Sequence, residues 1–155
     1  MKMNLADAIL MMCIEHIHDL AGLELAILLR SGFQLDCAPD SVGVAFLTPD
    51  EYSQQLGYMH RPRGHIIAPH IHNRVDRAVS HTREVVFVKS GLVRVHLYDN
   101  AQSHVTSRVL RTGDWVLLAA GGHGFEMIED SELIEVKQGP YAGADDKTLI
   151  QGNPF

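Results

Sequence analysis

The chain has 155 residues, of which 46% are hydrophobic and 21% charged, the balance of one globular domain with a buried core, and this excludes a largely disordered protein. Its formal net charge of −6 argues against a nucleic-acid-binding protein, which needs a basic surface. Two cysteines cannot form a disulfide framework, so a cytoplasmic protein is predicted. The unusual feature is the ten histidines.

The N-terminal segment carries a helical pattern. Its apolar residues recur at helical spacing: Leu5, Ile9, Met12, Cys13 and Ile17. An amphipathic helix is therefore predicted over residues 4–20, ended by Gly22, so that residues 1–22 form a helical extension. Charged residues from Glu15 onward interrupt the apolar stretch too early for a signal peptide, and no uncharged run is long enough to span a bilayer.

Short apolar runs alternate with turn residues from residue 23 to residue 137, a pattern typical of an all-β sandwich or barrel. The predicted strands are residues 25–29, 42–46, 56–60, 65–71, 84–88, 92–98, 107–110, 115–118, 125–128 and 133–137. No helical pattern lies between them, which argues against a parallel α/β fold. We predict a β-barrel domain over residues 23–140 and a C-terminal tail over residues 141–155.

Four side chains form a candidate metal site. His70 and His72 are two residues apart in a segment predicted as a strand, where both imidazoles would point to the same face. Glu84 begins an apolar strand, where a carboxylate is costly unless it is paired. His123 lies between glycines, which can carry its imidazole into a crowded site. Three His and one Glu suit Fe, Mn, Zn, Ni or Co.

Other histidines are assigned differently. His16 and His18 have the same spacing as the predicted pair, but on a helix their side chains would face apart, so no metal site is predicted there. His81, three residues before Glu84, is an alternative that would replace His123 or join it.

These residues resemble the two sequence motifs of the cupin superfamily. In the first motif, five residues separate Gly64 from His70-Ile-His72, and six residues separate Glu84 from Gly91. The spacer between His72 and Glu84 is longer than is usual in the family. In the second motif Gly113 and Gly121 fit, but Ala119 replaces a proline and His123 comes one residue early.

Residues 50–58 and 135–143 resemble a subgroup of small bacterial single-domain cupins that often occur among surface-polysaccharide and nucleotide-sugar genes. The resemblance implies an all-β, double-stranded β-helix, or jelly roll, with one metal inside the barrel and a tendency to dimerise. It implies His70, His72, Glu84 and His123 as the metal ligands. The metal would be Fe, Mn, Zn or Ni, with no organic cofactor.

Polar residues near these motifs are candidates for the substrate site. We name Glu126 as a general base, with Arg63 and Tyr58 as binding groups, and consider these further residues: Gln55, Arg61 and Arg77. Glu135 and Lys137 share one face of the last strand and Ile134 and Val136 the other, and either face can be the pocket side.

Two functions follow from the motifs. The first is a metal-dependent enzyme acting on a sugar or nucleotide sugar, as an isomerase or epimerase or, with iron, as a dioxygenase. The second is a non-catalytic module that contains a metal and binds or senses a carbohydrate. A metal with a purely structural role is the third hypothesis. The predicted partners are a small-molecule ligand and a second copy of the chain, with neither nucleic acid nor membrane.

Overall fold

The computed structural model describes residues 13–33 and 44–151, and within these ranges the protein is all-β. The strands are β1 (Ile14–His18), β2 (Glu24–Leu29), β3 (Ala45–Phe46), β4 (Gly57–Tyr58), β5 (Glu84–Ser90), β6 (Leu92–Tyr98), β7 (His104–Arg111), β8 (Trp115–Leu118), β9 (Gly122–Met127) and β10 (Glu132–Lys137). A 3-10 turn spans Gly143–Asp146. The described residues divide into two compact units, one of residues 13–33 and 81–151 and one of residues 44–80.

The first unit consists of two antiparallel sheets. Five strands form the larger sheet in the order β1-β2-β8-β5-β10, and three form the smaller sheet in the order β7-β6-β9. Neither sheet closes on itself. Both contribute to one apolar core: Ile17, Leu25, Ala26, Leu28, Val86, Val88, Val116 and Leu118 from the larger sheet and its loops, and Val93, Val95, Leu97 and Leu110 from the smaller. The sheets therefore pack face to face around this core.

The second unit has little regular structure. Its strands β3 and β4 pair antiparallel, with Ala45 opposite Tyr58 and Phe46 opposite Gly57. The loop between them is tied by the Leu56 amide, which donates to the hydroxyl of buried Thr48 at 3.2 Å. Residues 59–80 contain no strand or helix.

The predicted N-terminal helix is wrong over residues 14–18, which form strand β1 instead. Residues 4–12 of that prediction lie outside the described residues. Ile17 is only 5% exposed and joins the core, while β1 pairs with β2 along its whole length. Pairing with a neighbouring strand thus overrides the helical spacing of the apolar residues. No helix in the described part of the chain is long and apolar enough to cross a membrane.

Most of the other predicted strands are confirmed. Strands β6 and β8 have the predicted bounds, and β5, β7 and β9 differ from theirs by one to three residues at an end. Residues 65–71, in contrast, form no strand. Pro69 interrupts this segment, and because proline has no amide hydrogen it cannot donate to a neighbouring strand.

Candidate metal centre

Glu84 is held at the edge of the apolar core. It is the first residue of β5, and its side chain lies on the same face as the core residues Val86 and Val88, as the alternation predicts. The side chain is 17% exposed. A carboxylate in this position needs a partner, because its removal from water is otherwise costly.

His123 supplies that partner from the opposite sheet. On β9 it lies opposite the fully buried Leu97 of β6, so it is directed to the core side of the smaller sheet. Its Nε2 atom is 3.1 Å from Oε2 of Glu84. Packing of the two sheets thus brings together two predicted ligands that are far apart in the sequence.

The charge of Glu84 is stabilised by its neighbours. The hydrogen bond from His123 is the largest cause of a lowered pKa of the Glu84 carboxyl group. Burial acts in the opposite direction, while the electrostatic interactions of the carboxylate with His123 and with the ammonium group of Lys137 lower its pKa further. The carboxyl group is therefore ionised at neutral pH, which is the form that binds a cation.

Lys137 and the residues around it extend the centre. Lys137 of β10 lies opposite Glu84 of β5. The face of β10 that carries Lys137 is therefore the core side, which the sequence alone had not decided. Its ammonium nitrogen is 3.7 Å from Oε1 of Glu84 and 3.2 Å from Oδ2 of Asp146, and it lies 4.6 Å from the ring centroid of Tyr141. Sequence reasoning did not find Asp146 or Tyr141, because only the fold of the segment after β10 brings them here.

His70 and His72 lie in the irregular part of the second unit. Their ring centroids are 5.1 Å apart, and the ring planes are inclined by 76°. Nδ1 of His70 is 2.9 Å from the carbonyl oxygen of Ala68. Because a carbonyl only accepts, Nδ1 carries the proton, and in the neutral ring the lone pair is at Nε2, ready to bind a metal. The two rings are thus in contact, although the strand from which their convergence was predicted does not form.

The donor chemistry of these residues fits a divalent transition metal. Imidazole nitrogens and a carboxylate oxygen are the ligands that Zn, Fe, Mn and Ni take in proteins, and here they form two pairs, His70 with His72 and Glu84 with His123. Within residues 13–33 and 44–151, no group of three or more His, Cys, Asp and Glu side chains is assembled to hold a metal. A four-ligand centre therefore stays a prediction.

Two substrate candidates of the second unit line one cavity. Gln55 and Arg77 border a space of about 590 Å³ together with these residues: Asp50, Glu51, Tyr52, Ser53 and Ala78. The lining is mostly polar, which suits a ligand rich in hydroxyl or charged groups. Of the remaining candidates in this unit, Tyr58 ends β4, Arg63 is exposed in a turn, and Arg61 donates to the carbonyl of His60 at 3.0 Å.

Glu126 lies on the opposite face of β9 from His123. It is placed opposite Arg94 of β6 and forms a close ion pair with that guanidinium group. The structure therefore does not bring the predicted general base to the Glu84–His123 pair. His81, the alternative ligand, is an exposed residue three positions before β5.

The face that carries Glu126 holds a buried imidazole. His96 is 5% exposed, and its Nδ1 is 2.8 Å from the hydroxyl of Ser107 on β7. Burial is the main cause that lowers the pKa of His96 below its ordinary value. The carboxylate of Glu126 acts against this shift, while His104 and Arg94 add to it.

This lowered pKa predicts a loss of stability in acid. The unfolded chain binds the proton more readily, so the free energy of unfolding should fall as the pH drops below 6.5, the ordinary pKa of the imidazole. In His96→Asn, whose amide can still reach Ser107, the free energy of unfolding should fall less steeply with decreasing pH, by up to about 1.4 kcal/mol per pH unit. Urea denaturation between neutral and mildly acidic pH measures how the free energy of unfolding depends on pH in wild type and in the variant. His65→Asn, at an exposed histidine of the second unit, is the control and should leave the pH dependence of the free energy of unfolding as it is in wild type. The same pH dependence in wild type and His96→Asn would contradict the prediction.

Comparison with known proteins finds no relative of this chain. No family model matches this chain, and no curated protein or solved structure matches it either. The cupin resemblance consequently rests on the sequence motifs alone.

Proposed function

We propose that the chain is a cupin-type metalloprotein with a jelly-roll fold that binds one divalent transition metal. His70, His72, Glu84 and His123 would be the ligands, and a small polar molecule such as a sugar or nucleotide sugar would be the substrate. The observation that carries this proposal is the contact of 3.1 Å between Glu84 and His123 at the core side of the two sheets. We also propose that the protein is a cytoplasmic homodimer with a role in polysaccharide biosynthesis.

The proposed reaction is an isomerisation or epimerisation, or an oxygenation if the metal is iron. A bound metal would supply Lewis-acid polarisation of a carbonyl or diol, or a site for dioxygen. The ionised Glu84 and the imidazole of His123 would contribute charge and orientation. Arg63 and Tyr58 are the proposed substrate-binding groups, while Gln55 and Arg77 would bind hydroxyl or anionic groups in the polar cavity.

Metal analysis of the untagged protein tests this function. Wild type should contain about one equivalent of a transition metal, because the proposal assigns the four side chains to one site. His72→Ala and Glu84→Gln, one in each unit, should each lose most of the metal and remain folded. Inductively coupled plasma mass spectrometry measures the metal content, and circular dichroism shows whether each variant is folded.

The controls are histidines outside the proposed site. His65→Ala in the second unit and His104→Ala in the first should keep the metal. Wild type that holds no metal even after reloading would contradict the proposal, and so would an equal loss of metal in the two control variants.

A second candidate function is a non-catalytic module that binds a carbohydrate. It is favoured by the position of Glu126, which pairs with Arg94 on the face away from His123 and so leaves the pair without its predicted general base. Thermal stabilisation by a sugar that the metal-loaded protein never converts would support this candidate. Turnover of any member of a sugar and diol panel would instead establish the enzyme.

A further inference from the structure

Lys137 brings a positive charge to the carboxylate that is proposed to bind the metal. Oε2 of Glu84 contacts His123 Nε2 at 3.1 Å, and Oε1 lies 3.7 Å from the ammonium nitrogen of Lys137. Both carboxylate oxygens therefore already face a nitrogen of the protein. A divalent cation that binds Glu84 has to approach against the charge of this ammonium group.

The ammonium group has other acceptors within reach. Asp146 Oδ2, at 3.2 Å, is closer to it than Glu84 is, and Glu135 Oε1 is 3.8 Å away. The ring of Tyr141, with its centroid 4.6 Å from the ammonium nitrogen, adds a cation–π contact. The ammonium group of Lys137 can therefore lose its contact with Glu84 and still keep charged partners. A metal ion can therefore displace the ammonium group from Glu84.

We propose that Lys137 regulates cation binding by Glu84, as a positioning residue whose ammonium group competes with the divalent ion for the carboxylate. The inference rests on the proposed metal-binding function and adds to it a residue outside the two cupin motifs. It also assigns Asp146 a role as the acceptor that draws the ammonium group away from Glu84.

Zinc titration of charge variants tests this role. Lys137→Met and Lys137→Gln remove the charge and should tighten Zn²⁺ binding about tenfold, as measured by competition with a chelator. Lys137→Arg keeps the charge and should bind zinc as wild type does. Asp146→Asn should weaken binding, because the ammonium group then loses its nearest alternative acceptor. A merely structural role for Lys137 predicts weaker binding in the neutral variants, not tighter binding.

The matched control is the other lysine that joins β5 and β10. Lys89 contacts Glu132 at 2.9 Å in an exposed ion pair, and Lys89→Met should leave the zinc affinity unchanged. Equal or weaker zinc binding by folded Lys137→Met and Lys137→Gln would overturn the inference while leaving the metal site intact. Absence of zinc binding in wild type and in all variants would overturn both proposals, whereas binding by the neutral variants alone would support the role of Lys137.

Discussion

Replacing Asp114 with alanine is expected to lower the free energy of unfolding by about 3 to 5 kcal/mol, because three hydrogen-bond donors lose one buried, charged acceptor. The carboxylate is only 4% exposed and accepts three hydrogen bonds. Its Oδ2 receives them from the Arg30 guanidinium at 2.9 Å and the Arg111 amide at 3.0 Å, and its Oδ1 from the Ser31 amide at 2.7 Å. Removal of the side chain would leave all three donors without this acceptor.

The position of Asp114 explains why the effect should be large. It lies in the turn between β7 and β8, and through Arg30 it also fixes the loop that follows β2. Its carbonyl accepts the Val88 amide at 3.0 Å, so the same residue ties the turn to β5. Loss of the carboxylate should thus loosen the end of β2, the end of β7 and the turn that leads into β8 together.

Urea denaturation followed by circular dichroism measures this loss. Glu132→Ala is the matched control, since it removes a carboxylate from the exposed Lys89–Glu132 pair of the same sheet and should not measurably change stability. A loss of less than about 1 kcal/mol in Asp114→Ala, in the range of an ordinary single hydrogen bond, would show that water replaces the buried acceptor.

Substitution of Gly121 by alanine should destabilise the protein by about 2 to 4 kcal/mol, because it adds backbone strain to a steric clash. Gly121 has a φ of +69°, in the region that side chains other than glycine rarely adopt. A β-carbon at this position would collide with the carbonyl oxygen of Tyr98 and lie 2.8 Å from Cδ2 of Leu25. The backbone of β6 would have to move to admit it.

Gly124, on the other side of His123, is the matched control. A β-carbon there would meet no atom within 4 Å, so Gly124→Ala should change the free energy of unfolding by less than about 1 kcal/mol. Thermal and urea denaturation of the two variants compare the sites directly. Similar stability of Gly121→Ala and Gly124→Ala would contradict the close approach of Gly121 to β6.

Part of the fold follows directly from alternation in the sequence. Two-residue periodicity and glycine-rich turns predicted the all-β class, the bounds of β6 and β8, and the face that Glu84 shares with Val86 and Val88. These are local properties, because successive side chains of a strand alternate between faces wherever the strand lies. The paired imidazoles of His70 and His72 were also predicted from spacing, although the strand assigned to them does not form.

Apart from the strand that Pro69 interrupts, the errors and omissions arise because pairing and packing join residues distant in the chain. His16 and His18, assigned to a helix, lie on β1 and are 2.6 Å and 3.9 Å from the same oxygen of Glu24, because β1 pairs with β2.

The sequence by itself therefore determined the all-β class, the position of most strands and the residues that share a face of β5 with Glu84, since these depend on neighbours along the chain. Only the tertiary structure decided that His123 reaches Glu84 across the core and that Lys137 lies opposite Glu84 on β10. Both contacts depend on which strands become neighbours and in which register, and that choice is made by burial of the whole core rather than by any local pattern.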